Sequence, residues 1–203
     1  MRRSLLASLG VMASAAALLA GPKFVSVWKA PDAGALNYVG KKVVALVITN
    51  DQSLQMSGEE ALVRALATHG ATAIPAYRIV PREELHTAEK AKGWLERAGI
   101  EGGVALRPVR YDREKIYSPS IWTTSNYQTF WGYYGYGWSG VYIPGSSKEE
   151  TTVVVETLVF SVSRDKLLWA GTAETKDPDR LQDFVKDVVD EAADEMKKMK
   201  LVR

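Results

Sequence analysis

The chain has 203 residues, of which 46% are hydrophobic and 25% charged, an ordinary globular composition with enough length to bury a core without metal or disulfides. Its formal charge of +2 comes from Arg2 and Arg3, since the remaining residues balance at 24 basic and 24 acidic; a neutral body has no whole-molecule field to attract nucleic acid or an anionic membrane. The absence of cysteine removes disulfides, thiolate nucleophiles and Cys-based metal sites together.

Arg2 and Arg3 precede an apolar, Ala-rich run ending near Ala20, which reads as an export signal over residues 1–20 and is short for a membrane span. No later segment has spanning length, so the expectation is a periplasmic protein with one α/β domain over residues 21–203. Leu19-Ala20-Gly21 matches the start of a lipobox, but Pro22 stands where the lipidated cysteine belongs, and without a thiol there is no thioether anchor.

Phe24 to Trp28 alternates like a strand, and Val43 to Ile48 is a continuous β-rich run suited to a strand covered on both faces. Ser57-Gly58-Glu59-Glu60 forms a capping box that predicts a helix start, with Leu62, Val63 and Leu66 inward and Gly70 as the stop. Ala71 to Tyr77 predicts a short strand. Pro81 predicts a second helix, with Glu83 and Glu84 in its first turn, a stripe of Leu85, Ala88, Ala91, Leu95 and Ala98, and Gly99 as its end. Gly103 to Val109 follows as a strand. Thr151 to Val162 and Lys166 to Thr175 form a hairpin across Arg164-Asp165. Asp177-Pro178 caps a closing helix with Leu181, Phe184, Val185, Val188, Val189, Ala192 and Met196 at three-to-four spacing. The order β-β-α-β-α-β-β-β-α predicts an α/β (α+β) fold, a mixed sheet of about five strands with two crossover helices and a C-terminal helix.

Residues 116–147 contain no Asp, Glu, Lys or Arg, yet hold ten of the nineteen aromatics, with glycines at 132, 135, 137 and 140. Two readings stand: an excursion whose rings lie back on the sheet, or a neutral platform for a partner. The platform would consist of Trp122, Tyr127, Trp131, Tyr133, Tyr134, Tyr136 and Trp138, and its partner an envelope protein or complex, or peptidoglycan through ring stacking. Nucleic acid does not fit, because stacking platforms for it come with basic grooves.

No catalytic residue is nominated. His69 beside Gly70 reads as a helix C-terminal group, and His86 as a solvated one. Asp187, Asp190, Glu191, Asp194 and Glu195 read as a solvated face answering Lys197, Lys198 and Lys200. No nucleophile elbow, phosphate loop, metal set or cofactor motif is present, and an unrecognised hydrolase stays as the remaining alternative.

The strand Leu167-Leu168-Trp169-Ala170-Gly171-Thr172 ahead of the last helix, with the Val43 to Ile48 strand and the helix led by Glu59-Glu60, resembles a family of uncharacterised Gram-negative envelope lipoproteins. More distantly the layout is similar to the amino-terminal domain of TolB and to LpoB and CsgG. That resemblance implies a non-enzymatic accessory role by protein contact, with no cofactor and no catalytic residues to transfer.

Overall fold

A computed structural model describes residues 21–38, 40–109, 119–139, 152–176 and 181–201. The signal segment, the Asp177-Pro178 cap, Tyr117 and Tyr142 lie outside these described residues. Among the described residues the predicted order is kept, with three short helices added to it, in six strands and six helices: β1 Lys23–Lys29, β2 Lys42–Val47, α1 Gln52–Thr68, β3 Thr72–Pro75, α2 Ala76–Ile79, α3 Ala88–Arg97 and β4 Gly102–Val109. A 3-10 turn at Pro119–Thr123, α4 Ser125–Gln128 and α5 Phe130–Ser139 occupy the aromatic tract. Then come β5 Thr152–Ser161, β6 Lys166–Lys176 and α6 Leu181–Lys198.

The strands form one mixed sheet in the order β1-β6-β5-β4-β2-β3. β2 pairs in parallel with both β3 and β4, whereas β4, β5, β6 and β1 are joined antiparallel. The chain leaves β2 to one side to make β3 and returns past it to make β4. Right-handed crossovers in opposite directions put their helices on opposite faces, so α1 and α3 cover different sides of the sheet. The burial pattern agrees. Ala61, Leu62 and Ala65 of α1 pack with Val185, Val188 and Val189 of α6 on one face. Ala91 and Leu95 of α3 pack with the aromatic tract on the other.

Three local expectations give way to stronger interactions. Helix α1 begins at Gln52, because the Asp51 carboxylate accepts the amides of Ser53 (2.8 Å) and Leu54 (3.0 Å); Ser57 sits exposed inside the helix and the capping box does not form. The strand expected through Tyr77 stops at Pro75, where α2 turns the Tyr77 amide onto Glu59 at 3.0 Å. Pro81 opens a turn instead of a helix, and α3 starts after Thr87. Both predicted glycine stops hold: Gly70 and Gly99 take φ of 79° and 70°, the left-handed region where a side chain is strained. If Asp51 carries the α1 cap, Asp51→Ala should cost about 1 kcal/mol in urea unfolding, while Ser57→Ala should be near neutral.

Candidate functional site

β4 and β5 are apolar strands that each contain one charged residue, Arg107 and Glu156, and the register sets these two directly opposite each other. Both side chains are buried, at 3% and 5% exposure, and form a close pair with Arg107 Nε 2.9 Å and Nη2 2.8 Å from Glu156 Oε2. Burying two charges is costly unless the remaining polar atoms are also satisfied. The aromatic tract satisfies them. Tyr127 donates its hydroxyl to Glu156 Oε1 at 2.8 Å and accepts from Arg107 Nη2 at 2.9 Å, and Tyr133 donates to Glu156 Oε2 at 3.2 Å. The Arg107 guanidinium also lies 5.6 Å from the Tyr133 ring centroid and 4.9 Å from that of Tyr136. Burial, reinforced by the Glu156 charge, pushes both the Tyr127 and Tyr133 hydroxyls well above the ordinary phenol range, so they remain donors.

Around this network the rings lie back on the sheet. Phe130 and Tyr133 meet Phe160 of β5 at centroid distances of 5.4 and 5.6 Å, and the Tyr134 hydroxyl donates to the Leu85 carbonyl at 2.6 Å. The interleaved glycines permit this approach. A Cβ on Gly137 would stand 2.5 Å from Ile48 Cδ1, and one on Gly103 would stand 3.0 Å from the Phe130 ring. Of the seven rings expected to face a partner, Trp122, Tyr127, Tyr133, Tyr134 and Trp138 are buried in this core. Only Trp131 and Tyr136 sit half-buried at its edge, so the outward platform shrinks to those two. Trp131 is placed by its amide, which donates to Asp165 of the β5–β6 turn at 3.0 Å, and Lys92 approaches its ring at 5.8 Å. His86 is exposed, as expected, and one face of its ring stacks on Trp138 at 4.2 Å; partial desolvation, with Arg82 nearby, lowers its pKa.

Glu59 is a second buried charge-bearing group, with no exposed surface. Its carboxylate accepts from the Val47 amide (3.2 Å), Gln55 Nε2 (3.1 Å) and the Tyr77 amide (3.0 Å), tying α1 to the ends of β2 and β3. Burial raises its pKa to about 7 despite these donors.

The opposite face of the sheet contains a cavity of about 520 Å³. Val104, Thr157 and Val159 form its floor, and Val189, Ala192 and Ala193 of α6 form a wall. The two alanines leave unfilled the volume that larger side chains on this stripe would take. A second wall is the strap at 35–38, tied down by the Leu36 amide on the Leu201 carbonyl (2.6 Å) and the Tyr38 hydroxyl on the Phe160 carbonyl (3.0 Å). His69 stands at the rim with Nε2 3.0 Å from Asp190 Oδ1, so its side chain bridges α1 to α6 as well as ending α1. Asp190 also accepts from Lys186, while Lys197 and Lys198 pair with Asp194 and Glu195 as expected of a solvated face.

Among the described residues there is no group of three or more His, Asp or Glu able to hold a metal ion, and no helix long and apolar enough to cross a membrane. No hydroxyl of the described residues stands as a second partner to His69, which a Ser-His-Asp arrangement requires.

The sequence reading missed the buried pair, although each partner is the single charge of an otherwise apolar strand. The cavity left no such sign, because it arises from elements far apart in the chain.

No family model matches the chain, and no curated protein matches it. Solved structures similar to it include two of the PelC dodecamer from Paraburkholderia phytofirmans. Both are 14% identical, one covering 83% of this chain and 95% of that chain with a TM-score of 0.48, the other 88% and 98% with a TM-score of 0.46. The lipoprotein GNA1162 from Neisseria meningitidis is 13% identical over 76% of this chain and 98% of its own, with a TM-score of 0.42.

Two predictions follow from the buried charges. Arg107→Met leaves the Glu156 carboxylate uncompensated and should cost about 3–5 kcal/mol in urea unfolding; adding Glu156→Leu should restore part of that loss. Glu59 has a folded pKa of about 7 against an ordinary 4.5. The fold therefore favours its neutral form, and the stability it contributes is complete below pH 4.5 and declines as pH rises through 7, by on the order of 3 kcal/mol. Thermal melts across that window should show the decline, and Glu59→Gln should flatten it.

Proposed function

We propose that this chain is a non-enzymatic accessory protein of the cell envelope, exported to the periplasm and acting by contact with an envelope protein or complex. The observation that carries the reading is the ion-free aromatic layer. It is anchored from beneath by the Arg107–Glu156 pair and keeps Trp131 and Tyr136 at its solvent edge. Half-buried rings on a rigid support are the residue type and setting that anchor protein interfaces, since little side-chain freedom is lost on binding. The cationic start and apolar run of residues 1–20 support the compartment.

Stacking on peptidoglycan is the weaker alternative, because sugar platforms need open ring faces and five of the seven rings are turned inward. A hydrolase is weaker still. The His69–Asp190 pair at the cavity rim is an exposed contact without a nucleophile beside it, and the one hydroxyl on the floor, Thr157, is buried. In-cell crosslinking with mass spectrometry tests the proposal. The double variant Trp131→Ala, Tyr136→Ala should lose the wild-type partners while remaining folded by circular dichroism at a lower melting temperature, and an unchanged partner set in the folded variant would overturn this placement of the contact.

A further inference from the structure

We propose that the cavity between the sheet and helices α1 and α6 is a binding site for the alkyl chain of a small amphiphile, its polar head resting at the rim beside His69 and Lys197. This site lies on the face opposite the aromatic layer and does not depend on the contact proposed there. The lining chemistry selects the ligand. Most of the lining is apolar, Val104, Val159, Val189 and Ala192 among it, and its polar side chains are few, Asn37 and Tyr38 on the strap, His69 and Lys197 at the rim and Thr157 on the floor, so water filling the interior would find few of the two to four polar partners that an ordered buried water needs. The floor hydroxyl does not change this: Thr157 Oγ1 is buried and has no hydrogen-bond partner among the described residues. A sugar or peptide would meet the same shortage of partners. An alkyl chain needs none.

The volume of about 520 Å³ lies within the range of small-molecule sites and accommodates a chain on the order of a dozen carbons. Entry is also provided for. The strap at 35–38 is chain without regular secondary structure, held by the Leu36 and Tyr38 tie points. At the rim, among the described residues, His69 and Lys197 are engaged only by Asp190 and Asp194, in pairs that water reaches on both sides. Such exposed pairs are weak, so a head group can exchange into them.

The test is calorimetric titration of the full chain with dodecanoate, with neutral dodecyl maltoside below its micelle concentration, and with octanoate. Saturable one-to-one binding of dodecanoate is expected, on the order of 100-fold tighter than octanoate because four methylenes are lost. Binding of dodecyl maltoside as well assigns the affinity to the chain; binding of dodecanoate alone adds a role for the cationic rim. Ala192→Leu and Ala193→Phe, made separately, fill the cavity. Each folded variant should bind dodecanoate at least about 10-fold more weakly while melting no lower than wild type. Absence of saturable binding, equal affinity for the two chain lengths, or undiminished binding in the folded variants would overturn the proposal.

Discussion

Arg107 and Glu156 stand opposite each other in the middle strands of the sheet, away from solvent, and the aromatic segment takes its position from them. A pair of this kind adds little net stability over an apolar substitute, but it is exacting about geometry, because each unmatched atom is penalised. Tyr127 and Tyr133 come from two short helices, and both must reach the same carboxylate. That requirement orients α4 and α5, brings Phe130 onto Phe160 and Gly103, and sets Gly137 against Ile48. Uncharged residues with rings and glycines are therefore what a layer pressed against a sheet calls for.

The two faces of the sheet are filled differently. On the aromatic side large rings interlock edge to face, and the backbone closes in wherever glycine allows. On the other side α1 and α6 pack together through alanine and valine, and space is left between α6, the 35–38 strap and the sheet. Residues 155, 157 and 159 of β5 face this side, while 156, 158 and 160 face the aromatic one. One strand thus contributes both to the buried ion pair and to the floor of the cavity.

The succession of strands along the chain and the two crossovers were legible because hydrophobic runs, alternation and the glycine stops agree with one another in those regions. Helix starts were less so. The local box at Ser57 competes with Asp51, and the winner is decided by where β2 ends, which no local pattern states. Pro81 suits a first helical turn, yet Glu84 instead receives the Trp94 indole at 2.7 Å across the turn that precedes α3. The orientation of the aromatic rings was hidden, since glycine and tyrosine at mixed spacing carry no clear period and the same composition serves a surface or a core. Isolated Arg107 and Glu156 in apolar strands were the available clue. Pairing them would have shown that the tract above must supply polar partners and so must face inward.

Amide hydrogen exchange over residues 130–139 tests most directly whether this segment is core or surface ornament. The account predicts protection for α5 close to that of β4 and β5, falling together with theirs when denaturant is raised. Exchange of α5 at the rate of unstructured chain while the sheet stays protected would contradict it.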